Sequence, residues 1–125
     1  MTYNHMVAHH AMPAAKVDRV FRALSDATRR DIVERVLSGE QSVSGLAESY
    51  AMSFAAVQKH VAVLEKAGLV TKHVHGRERL VRGKLDAIRK VQTLLNRYEL
   101  LWTARVERLD ALLSEPKHPV SKKER

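Results

Sequence analysis

The stretch from Ser53 to Gly68, SFAAVQKHVAVLEKAG, constrains the fold of this chain more than any other. Ser53 suits a helix N-cap, because its hydroxyl accepts from an otherwise unpaired first-turn amide. Gly68 suits the left-handed position just past a helix end. Val57, Val61 and Leu64 recur at four and three residues, so they share one face. The other face carries Ser53, Ala56, Gln58, Lys59 and Ala62, which are small or hydrogen-bonding, with no acid among them. The spacing predicts a capped helix with one face in a core and the other free to approach a flat polar surface. We expect that surface to be the major groove of DNA.

The neighbouring segments fit that use. Residues 14–24 read as a short helix with Val17, Val20, Phe21 and Leu24 on one side. Asp26 suits the N-cap of the next helix, Ala27 to about Leu37, with Ile32, Val33, Val36 and Leu37 inward and Gly39 ending it. A third helix is expected from Ser44 as N-cap to about Tyr50, with Leu46 and Ala47 inward. Ala51 and Met52 then make the turn before Ser53, which is helix-turn-helix spacing. After Gly68 the pattern becomes extended. Leu69 to Val74 reads as a strand, Gly76 marks a turn, and Arg79 to Arg82 returns as a second strand. Leu80 is expected to face the core, with Arg79 or Val81 facing out. Two strands with basic residues at their tip make a wing, from which Arg77 and Arg79 reach a phosphate or the minor groove.

Residues 85–115 form the longest predicted element. Ile88, Val91, Leu95, Tyr98, Trp102, Val106, Leu109 and Leu113 step by three or four, and Leu94, Leu101 and Leu112 widen the stripe. A helix of this length extends about 45 Å, more than a domain of this size needs for its own core. The simplest partner for the surplus is the same helix of a second copy across a two-fold axis; the alternative is a monomer that folds the helix back. Tyr98 and Trp102 are read as an aromatic anchor of that dimer, with an inducer pocket as the alternative.

Charge is localised. The chain of 125 residues carries a formal charge of +8. Residues 1–52 and 85–116 are each neutral, whereas residues 53–84 hold seven Lys/Arg against two Asp/Glu. The excess thus begins at the expected reading helix, as a phosphate-contacting surface requires. Residues 117–125 add four Lys/Arg against Glu124 and read as a flexible basic tail. Residues 1–13 read as a flexible arm, and its His5, His9 and His10 lack the acidic or sulfur ligands of a metal site. One domain, residues 14–116, lies between them. The chain has no cysteine, which excludes disulfides and thiolate metal sites. No apolar run is long enough to span a membrane, and a soluble, cytoplasmic protein is expected. A Gly-rich phosphate loop, a cysteine nucleophile and paired carboxylates on one face are all missing, so no enzyme is expected. The rival readings are a protein-interaction module and a non-specific nucleic-acid binder.

Three stretches together resemble one family. Ala23 to Ile32 (ALSDATRRDI), Ser42 to Glu48 (SVSGLAE) and Met52 to Val70, followed by Arg77 to Arg82, are similar to the opening, support helix, recognition helix and wing of ArsR-type (ArsR/SmtB) winged helix-turn-helix repressors. The resemblance implies a mainly α fold with a two-stranded β-wing. It implies a homodimer, formed through the long C-terminal helix and an N-terminal helix, that binds a palindromic double-stranded operator and represses transcription until an unidentified small-molecule inducer releases it. The DNA contacts it implies fall on Ser42, Ser44, Ser53, Phe54, Ala56, Gln58, Lys59, His60, His75, Arg77 and Arg79. The dimer contacts fall on Val17, Val20, Phe21, Leu94, Leu95, Tyr98, Leu101, Trp102 and Leu109. His60 has two open roles, contacting phosphate or capping the inner edge of its helix. Gln58 stands where Ser is usual, and its amide can bond an adenine edge in bidentate fashion. Many members sense metals through Cys-Val-Cys on the support helix, where this chain has Ser42-Val43-Ser44, and others use ligands including His on the last helix, where it has no His. His73 and His75 share one strand face but make a weak pair. No metal and no cofactor is therefore expected.

Overall fold

Asp26 sets the first corner of the fold. Helix α1 (Ala14–Leu24) stops at Ser25, and the Asp26 carboxylate accepts from the Arg29 amide at 3.0 Å to start α2 (Ala27–Ser38). Arg29 and Arg30 reach back across the corner. Arg29 donates to the Ala23 and Arg22 carbonyls at 2.8 and 3.1 Å, and Arg30 to the Leu24 carbonyl at 2.8 Å. These are carbonyls that a helix end leaves without intrahelical partners. The sequence DATRR is thus a device for joining two helices at a fixed angle. The computed structural model describes residues 12–114. The arm as far as residue 11 and the tail from residue 115 lie outside the described residues.

The order continues with β1 (Gln41–Ser42), α3 (Val43–Glu48), α4 (Phe54–Lys66), β2 (Val70–His75), β3 (Glu78–Gly83) and α5 (Asp86–Ser114). The strands form one antiparallel sheet in the order β1-β3-β2. Val70 pairs with Gly83 and His75 with Glu78, leaving Gly76 and Arg77 as a two-residue turn. Helix α4 packs against α1, α2, α3 and β2, so its inward residues Val57, Val61 and Leu64 meet Val20, Ile32, Leu46 and Leu69 in one core.

The end of α4 is a Schellman cap. Gly68 donates to the Glu65 carbonyl and Leu69 to the Leu64 carbonyl, both at 3.0 Å. Gly68 has φ 79°, the conformation that side-chain-bearing residues avoid. The Lys84 amide then donates to the Leu69 carbonyl at 2.9 Å, tying the exit of the wing to the end of α4.

Three local expectations need correction. The cap of α3 is Ser42, which accepts from the Gly45 amide at 2.9 Å, and not Ser44; the helix ends at Glu48 rather than Tyr50. Ser42 is also the last residue of β1, so pairing with Leu80 of β3 sets where the helix begins. On β3, Val81 faces the core at 0% exposure and Leu80 is only half-buried. The reason is that β3 is the central strand, with Val81 between Gln41 and Lys72 and with α2 packed over it. A Cβ on Gly83, two residues along, would come within 3.0 Å of the Leu37 backbone, which shows how closely α2 approaches that face. Leu37 turns its side chain over Gly83 yet stays 45% exposed.

The chain divides into two compact units, one ending at Val91 and one beginning at Gln92. The first turns of α5 belong to the first unit, where Ala87 and Val91 are buried. From Gln92 onward α5 buries no residue. Leu95, Tyr98, Trp102, Val106, Leu109 and Leu113 are all exposed.

Candidate nucleic-acid interface

The site is built from the start of α4. Ser53 accepts from the Ala56 amide at 3.1 Å, which fixes the first turn. Phe54 and Lys59 are exposed, and Ala56 and Gln58 are half-buried. Among the described residues, Gln58, Lys59, Arg77 and Arg79 have no side-chain partner. His75, Arg77 and Arg79 are exposed around the tip of the β2–β3 hairpin. Ser44 is exposed on α3, whereas the Ser42 hydroxyl is occupied as a cap.

His60 takes the inner of its two open roles. Its Nδ1 lies 3.2 Å from an Arg29 guanidinium nitrogen and 4.0 Å from the Asp26 carboxylate, with the side chain 22% exposed. It joins α4 to the α1–α2 corner. The Arg29 amide bonded to Asp26 holds that carboxyl below its ordinary range. With Nδ1 turned to Arg29 and Asp26, Nε2 is the ring nitrogen left for any phosphate contact from His60.

The brace beneath α4 escaped the sequence reading. Tyr50 donates its phenol to Asp31, and Arg35 donates to the same carboxylate at 2.8 Å. The Arg35 guanidinium also lies 5.3 Å from the centre of the Tyr50 ring and 3.3 Å from the Ser49 hydroxyl. This cluster ties the α3–α4 turn to α2. The hydrogen bond from Arg35, then that from Tyr50, lowers the Asp31 pKa. Partial burial, followed by the bond to Asp31, pushes Tyr50 up to about 12. Only the Asp31–Arg35 spacing of four was visible in the sequence; its meeting with Tyr50 depends on the turn.

Val20 departs from the expected dimer contacts. It is 0% exposed in the core and so is unavailable to a second copy. Its neighbours on α1 remain available in different degrees, Val17 half-buried and Phe21 exposed. On α5, Leu94 is half-buried, and Leu95, Tyr98, Leu101, Trp102 and Leu109 are exposed. His73 lies 3.0 Å from the Thr71 hydroxyl. Among the described residues no three His, Cys, Asp or Glu side chains are grouped to hold a metal.

A projecting, acid-free helix face beside a basic hairpin is the geometry of a winged helix-turn-helix. The family model described as bacterial regulatory protein, arsR family, matches residues 26–72, from the Asp26 corner to the first wing strand. The HTH-type transcriptional regulator Rv2034 of Mycobacterium tuberculosis is 37% identical over 86 residues, covering 69% of this chain and 78% of that protein. This chain belongs to the arsR family. The transcriptional repressor SdpR of Bacillus subtilis is 30% identical over 60 residues, covering 48% of this chain and 67% of that protein. The solution structure of the homodimeric winged helix-turn-helix DNA-binding domain of Mb0332 from Mycobacterium bovis, described as a possible ArsR-family regulator, matches with TM-score 0.56 at 26% identity. It covers 66% of this chain and 80% of that one. This ArsR-family chain is accordingly a DNA-binding transcriptional regulator with a winged helix-turn-helix fold.

Proposed function

We propose that the regulator is a cytoplasmic homodimer that represses transcription by reading a palindromic operator. Ser53, Phe54, Ala56, Gln58 and Lys59 of α4 enter the major groove. His75, Arg77 and Arg79 of the wing, with Ser44 of α3, contact the flanking backbone. The observation that carries this reading is the partition of α4. One face is sealed in the core by Val57, Val61 and Leu64, while the other offers Gln58 and Lys59 without a competing partner among the described residues. The exposed apolar stripe of α5 supports the dimer, since an apolar face of that extent in water is an association surface. The repressor described for Bacillus subtilis and the homodimer described for Mycobacterium bovis support repression and two-fold pairing.

Footprinting on the promoter region of its own gene tests the reading. Two protected half-sites about one helical turn apart are expected. Lys59→Ala should weaken binding to all duplexes and lower the salt slope by about one unit. Gln58→Ala should cost about 1–3 kcal/mol at particular base pairs and leave others untouched. A uniform loss from Gln58→Ala would remove its base-reading role. Equal affinity for random duplex at the same salt would replace operator recognition with non-specific binding.

A further inference from the structure

At the C-terminal end of α4 the first unit carries a recess of about 240 Å³. Three helices meet there. Lys16 and Arg19 come from α1, Lys66 from the last turn of α4, and Lys84, Asp86 and Lys90 from the start of α5 and the residue pair before it. Five cations thus face one carboxylate. Among the described residues, none of the five has an ion pair or a side-chain hydrogen bond, although Glu65 and Glu40 hold Lys72 and Arg82 elsewhere. Like charges repel within a Debye length of about 8–10 Å, and Asp86 is the one acidic group among the lining residues to offset them.

The rest of the lining is uncharged. It includes the Ala67–Gly68 cap of α4 and Ala87. The Arg89 amide bonds to the Leu85 carbonyl at 2.9 Å, which makes Leu85 the N-cap of α5. Leucine has no side-chain oxygen to accept from the first-turn amides, so the positive end of a 29-residue helix lies beside the lysines, offset in part by Asp86 in its first turn. A recess of this size holds a small molecule. A duplex backbone, by contrast, is met by projecting cations such as Lys59 and Arg77. The recess also lies about 10 Å along the helix from Lys59, beyond the residues assigned to base reading.

We infer that this recess is a binding site for a small polyanion, a metabolite bearing two or more phosphate or carboxylate groups, and that its occupancy weakens DNA binding. The second half rests on the function proposed above. The recess borders the elbow where α4 turns into the wing, through Gly68 and the Lys84–Leu69 hydrogen bond. A bound polyanion neutralises positive potential next to the reading helix and draws α1, the α4 cap and the start of α5 onto one ligand. The loss of positive potential opposes the approach of phosphate.

Inorganic pyrophosphate and citrate, titrated separately into the full chain at fixed ionic strength and followed by amide NMR, test the site. Saturable shifts are expected at Ala67, Gly68 and Ala87, and the tighter of the two probes identifies phosphate or carboxylate as the preferred group. Lys16→Gln with Lys84→Gln should weaken binding about tenfold or more, since each removes a charge-assisted contact, while Lys59→Ala should leave it unchanged. Absence of shifts through the millimolar range overturns the site. Equal weakening by Lys59→Ala also overturns it, because the anion would then be sampling the DNA face. In parallel, the tighter probe should weaken duplex binding by the wild-type chain and not by the double variant. Equal weakening of both refutes the regulatory half. Pocket shifts in a protein that binds no duplex would uphold the site and overturn the DNA-reading function instead.

Discussion

Trp102 offers the sharpest test of how two copies assemble. It sits on the stripe of α5 beyond Gln92 and is 63% exposed. A tryptophan side chain presents up to about 250 Å², so roughly 150 Å² remains in water in one protomer. If a second copy covers two-thirds of that, about 100 Å² leaves water, worth about 2.5 kcal/mol at ~25 cal/mol/Å². A two-fold axis repeats the contact, giving about 5 kcal/mol for the dimer. Trp102→Ala retains a little of this area, so a loss of about 4 kcal/mol is expected, a rise of about a thousandfold in the dimer dissociation constant. Sedimentation equilibrium across the micromolar range measures it, with far-ultraviolet circular dichroism checking that the helix persists. Arg97→Ala is the control, since five residues back along a helix places Arg97 about 140° around from Trp102. A shift below about tenfold with the helix intact would refute this role for the stripe. So would a monomeric wild-type chain.

Other outcomes follow from the capping and titration chemistry. Ser53→Ala removes the acceptor for the Ala56 amide and should cost about 1 kcal/mol in urea unfolding; unchanged stability would mean that the cap contributes nothing. The folded state lowers the Asp26 and Asp31 pKa values from 3.8, so their contribution is present above that pH and is lost as pH falls through the lower folded values. The urea midpoint should therefore drop between about pH 5 and about pH 3, and Asp31→Asn should shrink the drop. Tyr50 is pushed from 10.0 up to about 12, so the folded state favours its neutral phenol, and that contribution fades as pH rises through this window. Difference absorbance between the wild type and Tyr50→Phe should show a tyrosinate that ionises near 12; ionisation near 10.0 would contradict the Tyr50–Asp31 contact.

The segments most legible in the sequence were those whose chemistry is local. Ser53 and Asp26 cap the helices they were expected to cap, and Gly68 adopts the left-handed conformation expected of it. Each of these follows from bonds spanning only a few residues. The errors cluster where a distant strand decides. Ser44 was the expected cap, and the pairing of β1 with β3 put Ser42 there instead; Leu80 was the expected core residue, and the central place of β3 put Val81 there instead. Alternation along a strand offers two phases, and only the neighbouring elements choose between them.

Residue order by itself determined the helices, the Asp26 and Ser53 caps, the acid-free face of α4 and the stretch of chain where the positive charge collects, because periodicity and charge are properties of short segments. Tertiary structure decided the phase of the wing and the inward turn of His60 to Arg29 and Asp26. It withdrew Val20 from any second copy by burying it in the core. It also gathered Lys16, Arg19, Lys66, Lys84 and Lys90 around one recess. Those five cations are up to 74 residues apart in the chain, and only the packing of α1, the end of α4 and the start of α5 brings their charges to one place.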